Sequence, residues 1–160
     1  MLFRSGPADR QMDAAGTAAN VFQVLLVEDN PGDVRLTQEA FRGTDLSVDV
    51  HVVGDGPAAL AYLTRADPYG DAPRPHLILL DLSLPGMAGS EVLARIKSDD
   101  RLRAIPIVIL TASSAQEDVD RSYRLQANLY VSKPAELDGF EGLVTSLKDF
   151  WLTKAALPPG

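Results

Sequence analysis

The chain has 160 residues, 46% hydrophobic and 23% charged, a composition typical of one globular domain with a sizeable core. Its 15 Lys and Arg against 22 Asp and Glu give a net charge of -7, which argues against a nucleic-acid-binding surface. The absence of cysteine excludes disulfides, zinc–thiolate sites and cysteine nucleophiles, and it fits a cytoplasmic location.

The two ends of the chain differ in character from its middle. Residues 1–20 are small, polar and aperiodic and lack the apolar segment of a signal peptide, so they predict a disordered N-terminal extension. Residues 155–160 predict a frayed C-terminal tail, which leaves residues 21–154 as the domain. No apolar run reaches the roughly 20 residues of a membrane span, so no membrane partner is expected.

Between these ends, apolar runs typical of strands alternate with segments of helical periodicity. The predicted strands are Phe22–Val27, Leu46–Val53, Leu77–Leu80, Ile105–Leu110 and Asn128–Val131. The second of them alternates in its middle, as a more exposed edge strand does. The predicted helices are Asp33–Phe41, Gly56–Thr64, Gly89–Lys97, Ala115–Leu125 and a last one from Leu137 to about Lys154. This alternation predicts an α/β fold with a parallel sheet covered on both faces.

Asp81 directly follows the wholly apolar strand Leu77–Leu80. Because an isolated buried charge costs many kcal/mol, we expect Asp81 at the carboxyl end of that strand, on the edge where open α/β sheets bind ligands. Polar groups also follow the other buried strands, and in a parallel sheet they reach the same edge: Glu28 and Asp29, Thr111, and Lys133. These groups should therefore converge.

Three carboxylates brought together at one edge would repel each other and need a neutralising partner. Mg²⁺ prefers oxygen ligands and keeps several waters, so it is the expected cofactor, with Mn²⁺ as its substitute. Glu28, Asp29 and Asp81 would supply side-chain oxygens, and the backbone carbonyl of Ser83 is well placed to add another. Each carboxylate taken alone could equally cap a loop or a helix start.

Asp81 could be a plain metal ligand or a nucleophile that takes up a phosphoryl group. Phosphoryl transfer depends mainly on positioning and charge neutralisation, which a metal, a lysine and a hydroxyl around one aspartate would supply. Lys133 would pair with one phosphoryl oxygen and Thr111 would donate its hydroxyl to another. The sequence leaves open whether the bond between Lys133 and Pro134 is cis.

Four segments together resemble the receiver domain of two-component response regulators: VLLVEDNPGD, LILLDLSLPGMAG, PIVILTAS and NLYVSKP. The resemblance covers about Val21 to Trp151. It implies a flavodoxin-like, doubly wound parallel sheet of strand order 2-1-3-4-5, with the site at the switch point between the first and third strands.

The resemblance also implies roles for individual residues. Asp81 would accept a phosphoryl group from a histidine kinase, and Mg²⁺ would be held by Glu28, Asp29, Asp81 and the Ser83 carbonyl. Thr111 and Lys133 would be the switch hydroxyl and the phosphate-pairing lysine. Tyr130 matches the aromatic switch position, whose ring turns inward when the threonine moves toward the phosphoryl group.

A closer resemblance is to the stand-alone regulators that are paired with bacterial phytochromes, some of which form dimers. It is carried by the EDNPGD start, the Pro-rich loop before Asp81, the RSY and YVSKP segments, and the long last helix. Only nine residues follow Trp151, so we expect no output domain. The signal should leave through the surface of the fourth helix, fifth strand and last helix, where Phe150 and Trp151 are either core or a homodimer contact.

Two other functions remain as alternatives. The chain could be a constitutive interaction module or a phosphate sink that phosphorylation does not switch. It could also be a phosphatase with an aspartate nucleophile, but haloacid-dehalogenase-like phosphatases need a second Asp two residues on, where Ser83 stands. We therefore expect no enzyme beyond self-catalysed phosphorylation and dephosphorylation. Gln126 stands where relatives usually have Gly, so a positive φ or a rebuilt turn is expected there.

Overall fold

The computed structural model describes residues 2–3, 21–112 and 129–153, and at residues 2–3, 111 and 150–153 it describes the backbone alone. The predicted fourth helix, Gln126, the C-terminal tail and most of the N-terminal extension lie outside the described residues. The domain bounds 21–154 therefore stay a prediction.

The described strands form one six-stranded sheet. They are β1 Leu2–Phe3, β2 Phe22–Val27, β3 Val48–Val53, β4 Leu77–Leu80, β5 Ile107–Thr111 and β6 Leu129–Ser132. Their order is β1-β3-β2-β4-β5-β6, and every pair from β3 to β6 is parallel. Without β1 this is the order 2-1-3-4-5, so the predicted flavodoxin-like fold is confirmed.

Four helices lie within the described residues, and their bounds reflect local capping. They are α1 Pro31–Arg42, α2 Gly56–Thr64, α3 Gly89–Lys97 and α4 Leu137–Thr153. The Asn30 side chain accepts a hydrogen bond from the Asp33 backbone N–H, and the Asp55 side chain accepts one from Ala58. A proline in the first turn follows each of these caps, so α1 begins two residues before its predicted start. None of the described helices is both long and apolar enough to cross a bilayer.

The sheet separates two apolar cores. One core packs β2, β4 and β5 against α2 and α3, and it contains Leu25, Ile78, Leu93 and Ile109. The other packs the opposite sheet face against α1 and α4, and it contains Leu26, Leu79 and Phe140. Leu77 to Leu80 are at most 1% exposed, because β4 lies at the centre of the sheet and is covered on both faces.

The prediction that the second strand forms an exposed edge of the sheet was wrong. Leu2 and Phe3, assigned to a disordered extension, form β1 and pair antiparallel with His51 and Val50. An uncovered β3 would present unpaired N–H and C=O groups, which a short extended segment can satisfy. Strand β3 is therefore internal rather than an exposed edge, and its polar residues Asp49 and His51 are buried.

Among the described residues, a cis peptide bond joins only Asp67 and Pro68. The bond between Lys133 and Pro134, which the sequence left open, is therefore trans. Lys133 nevertheless reaches over the edge of the sheet, as its contacts show below.

Candidate functional site

Asp81 lies at the carboxyl end of β4, at the point where the strand order reverses. Its backbone N–H donates to Val27 O at 3.1 Å, which extends the pairing of β4 with β2 by one residue. The Asp81 residue is 4% exposed. Its Oδ1 accepts a 2.9 Å hydrogen bond from the backbone N–H of Ser83, which fixes the rotation of the carboxylate.

Helix α3 packs directly on the backbone of this aspartate through Gly89. A Cβ at Gly89 would lie 2.3 Å from the carbonyl oxygen of Asp81 and 2.6 Å from Leu82 Cα. The Gly89 N–H donates to Leu82 O at 3.1 Å, so the approach is held by a hydrogen bond. Glycine is therefore needed at the start of α3 because any side chain would push the helix away from Asp81.

Lys133 follows β6 and joins three carboxylates at this edge. Its Nζ lies 2.7 Å from Glu28 Oε1, 2.7 Å from Asp33 Oδ2 and 3.1 Å from Asp81 Oδ2. The Lys133 side chain is 10% exposed, so these ion pairs are only weakly screened by solvent. The lysine thus ties the ends of β2, β4 and β6 and the first turn of α1 together.

Glu28, Asp29 and Asp81 form the oxygen cluster expected for a cation. One carboxylate oxygen from each lies within 4.8 Å of the others. Glu28 and Asp81 are buried, whereas Asp29 is exposed. The backbone N–H of Asn30 donates to Glu28 Oε2 at 3.1 Å and holds this carboxylate in place. An all-oxygen set with one open side fits a hard divalent cation that keeps several waters.

The pKa values of the site show how burial and charge compete there. Burial raises the pKa of Glu28, and the charge of Asp81 adds to the rise against the opposing Lys133 and Asn30. Burial also acts to raise the pKa of Asp81, but the hydrogen bonds from Ser83 and Lys133 outweigh it and hold that pKa below its usual range. Asp81 is therefore ionised at neutral pH, as a nucleophile or a ligand must be.

Lys133 shows the opposite balance. Burial alone would lower the pKa of Lys133, but its hydrogen bonds to Asp33, Glu28 and Asp81 prevail and raise that pKa above its ordinary value. The ammonium therefore stays charged throughout the physiological range, which suits a group that is to hold an anion.

Asp33 is the site residue that sequence reasoning missed. Its side chain is 24% exposed and contacts Lys133, while its own N–H is capped by Asn30 at 3.0 Å. It lies on a helix rather than at a strand end, so a search of strand ends passes over it. Its position three residues after Asn30 could have predicted its place in the site, because the third residue after an N-cap lies in the first turn of the helix, close to the sheet edge.

The remaining predicted residues are placed less completely. Thr111 ends β5 opposite Ser132, but its side chain is outside the described part of the chain. Ser83 contributes the N–H described above and is itself exposed. Tyr130 lies on β6, is half-buried, and packs against the core on the α2 and α3 face. The described geometry thus joins Glu28, Asp29, Asp81 and Lys133, and it does not test the roles of Thr111 and Tyr130.

Known proteins of similar sequence share most of this chain. Response regulator Rcp1 of Synechocystis is 42% identical over 135 residues, which cover 84% of this chain and 92% of that protein. The probable methanogenesis regulatory protein FilR2 of Methanothrix harundinacea is 40% identical over 135 residues, which cover 84% and 86%.

Solved structures agree with the sequence comparison. The phosphorylated cyanobacterial phytochrome response regulator RcpA superposes with a TM-score of 0.80 at 45% identity, covering 86% of this chain and 98% of that one. The Mn²⁺-bound form of Rcp1 has a TM-score of 0.79 at 42% identity, with coverage of 86% of this chain and 99% of that one.

The sequence model of the response regulator receiver domain family matches residues 24–145. The chain belongs to the response regulator receiver domain family.

Proposed function

We propose that this chain accepts a phosphoryl group on Asp81 from a histidine kinase and that it acts in the cytoplasm. The observation that supports this most directly is the position of the ionised, buried Asp81 between an acidic pair and Lys133 Nζ, which is 3.1 Å away. Phosphoryl transfer requires mainly positioning and charge neutralisation, and this arrangement supplies both.

The transfer is a displacement at phosphorus. An oxygen of Asp81 forms the new O–P bond while the P–N bond of the kinase phosphohistidine breaks, and the imidazole keeps that electron pair and takes up a proton. The Ser83 N–H, 2.9 Å from Oδ1, holds the carboxylate in orientation. Lys133 would pair with a phosphoryl oxygen, and Thr111 would donate its hydroxyl to another.

The cofactor is a divalent cation, Mg²⁺ or Mn²⁺. Receiver domains bind Mg²⁺, one related regulator has a Mn²⁺-bound crystal form, and Glu28, Asp29 and Asp81 provide a fitting oxygen set here. We infer that these three side chains and the Ser83 carbonyl hold it. When bound, the ion would neutralise charge on the phosphoryl oxygens.

We infer that the kinase is of the phytochrome type and that this chain acts as a single receiver domain over residues 21–154. RcpA, 45% identical to this chain, is named as a phytochrome response regulator. Receiver domains take part in signalling rather than in metabolic catalysis, so any activity of this chain is expected to be limited to its own phosphorylation and dephosphorylation.

We further infer that the signal leaves through β6, α4 and the predicted helix that precedes β6. Among the described strands β6 is the last on this side of the sheet, and its Leu129 is 38% exposed. A homodimer through this face is part of the proposal. Replacing Phe150 and Trp151 with polar residues should give a folded monomer in size-exclusion chromatography, whereas an unfolded product would contradict the dimer contact.

The phosphoacceptor is tested with a small acyl phosphate donor and Mg²⁺, followed by intact-protein mass spectrometry. Labelling should occur in the wild type, disappear in Asp81→Asn, and persist in Asp71→Asn, a matched change in the exposed loop before β4. Labelling that survives in Asp81→Asn would refute the assignment. If beryllofluoride changes neither dimerisation nor kinase binding, the chain is instead a constitutive module or a phosphate sink.

A further inference from the structure

A cavity lies at the sheet edge opposite Asp81. It has a volume of about 320 Å³ and is formed by the end of α2, the Pro-rich loop before β4 and the turn between α3 and β5. Because helices run back along a parallel sheet, these segments meet where β4 and β5 begin. Pro75 precedes Asp81 by six residues, so the cavity is about 20 Å from the phosphorylation site.

One part of the wall of this cavity is apolar. It is formed by Leu63, Leu102 and Ile105, of which Leu102 and Ile105 are 6% and 2% exposed, and Tyr62 also lines the cavity. The turn beneath them is fixed by Lys97, whose Nζ donates to Arg103 O at 3.0 Å and to Ile105 O at 3.5 Å. This side of the cavity is therefore held in place, and the size of the cavity is at the low end of the range for small-molecule sites.

Within the described part of the chain, three arginines and no acidic residue line the same cavity: Arg65, Arg74 and Arg101. Arg65 Nε donates to Ala72 O at 2.9 Å, and Arg74 Nη1 donates to Arg101 O at 2.6 Å. The guanidinium groups of Arg65 and Arg74 are therefore each anchored by a backbone carbonyl. Among the residues that the structure describes, neither Arg65 nor Arg74 forms an ion pair, although the chain carries a net charge of -7.

The described carboxylates nearest to the cavity do not neutralise Arg65 and Arg74. Asp99 Oδ1 lies 3.8 Å from Arg101 Nε, and because the Arg101 side chain is 83% exposed, this ion pair contributes little to stability. Asp100 pairs with Arg103 at 3.4 Å, outside the cavity. The remaining N–H groups of Arg65 and Arg74 have the planar fork geometry that matches phosphate oxygens.

We propose that this cavity binds a small organic phosphate, with the phosphate on Arg65 and Arg74 and a flat or apolar body against Leu102 and Ile105. The size of the cavity favours a free small molecule of about mononucleotide size over a folded partner. The site is independent of Asp81 and of any metal, so the proposal stands or falls separately from the proposed phosphotransfer.

The test uses the full chain without divalent cations, with phenyl phosphate, adenosine 5′-monophosphate, inorganic phosphate and neutral adenosine as probes. Binding is followed by amide chemical shifts in NMR. We expect at least one of the two organic phosphates to shift Leu63, Arg65 and Leu102 without moving Asp81. Inorganic phosphate should bind more weakly, because it lacks the body that packs on the apolar wall, and adenosine should not bind.

Variants assign the effect to the arginines. Arg65→Gln and Arg74→Gln should each weaken binding about tenfold, since each loses a charge-assisted hydrogen bond. Arg65→Lys, which keeps the charge, should weaken it less, and Arg35→Gln on the exposed face of α1 is the matched control with no expected effect. Thermal unfolding of each variant checks that it is folded.

Three results would overturn the proposal. The first is the absence of shifts with either organic phosphate up to a concentration of about 10 mM. The second is shifts confined to the surroundings of Asp81 and Lys133, and the third is equal weakening by Arg35→Gln. If the first result is found but a phosphoserine peptide binds, the cavity is a protein-docking site and the small-molecule proposal is wrong.

Discussion

Replacing Gly89 with Ala tests how closely the phosphorylation site depends on the start of α3. The new Cβ would lie 2.3 Å from the Asp81 carbonyl oxygen, whereas ordinary contact begins at 3.4 Å. The helix start or the Asp81–Leu82 backbone must therefore move by about 1 Å. Overpacking of this kind costs about 1–3 kcal/mol in the free energy of unfolding.

The displacement should also affect chemistry. A shift of about 1 Å in a positioned reacting group lowers rates by about 100-fold. We therefore expect Gly89→Ala to lower the melting temperature by roughly 4 °C for each kcal/mol lost. We also expect the initial rate of Asp81 phosphorylation by a small acyl phosphate to fall by up to about 100-fold. Thermal unfolding followed by circular dichroism measures the first effect, and mass spectrometry of the phosphorylated fraction measures the second.

Gly142→Ala is the matched control. Gly142 is exposed in α4, and an added Cβ would meet no atom of the described residues within 4 Å. This change should leave phosphorylation unchanged and stabilise the protein by about 0.5–1 kcal/mol, because alanine is the better helix former. If Gly89→Ala matches the wild type in both stability and phosphorylation rate, the close-packing argument is refuted.

Three further predictions concern pH, charge and the β3 edge. Burial lowers the pKa of His76 from 6.5, so the contribution of the neutral ring to stability is complete above pH 6.5 and is lost as pH falls through the folded pKa. His76→Asn keeps an acceptor for the Gln23 N–H but does not titrate in this range. In urea unfolding, the variant should therefore lose less free energy of unfolding between neutral pH and about pH 5 than the wild type. Lys133→Met should raise the pKa of Asp81, measured by carboxyl ¹³C NMR, and an unchanged pKa would disprove the role of Lys133 in lowering it. Deleting residues 1–3 should speed amide hydrogen exchange in β3 about fivefold, because the loss of one hydrogen bond costs about 1 kcal/mol. Unaltered exchange would contradict the pairing of β3 with β1.

The sequence was sufficient for the parallel sheet and for the strand-end part of the site. A short apolar run such as Leu77–Leu80, followed by a Pro and Gly turn, is typical of a central strand, and the carboxyl ends of parallel strands share one edge. Asp81 and Lys133, 52 residues apart in the chain, were for this reason predicted to meet.

The rest depended on contacts that leave little trace in sequence periodicity. Strand β1 has two residues and exists only through its pairing with β3, so no pattern announces it. Asp49 and His51 are polar in sequence yet buried, in part because His51 Nε2 lies 2.8 Å from Gln23 Oε1. Asp33 joins the site from a helix turn, where the pairing partner is 100 residues away.

The ammonium group of Lys133 has a limited capacity that bears on signalling. It carries three N–H groups, and Glu28, Asp33 and Asp81 already provide three acceptors. A phosphoryl oxygen on Asp81 could gain one of these donors only if a carboxylate gave one up. Asp33 is the most exposed of the three at 24%, so water can replace its lost partner most readily. If Asp33 gives up this donor, the first turn of α1 loses its ion pair with Lys133, and the lysine would couple a change at Asp81 to helix α1.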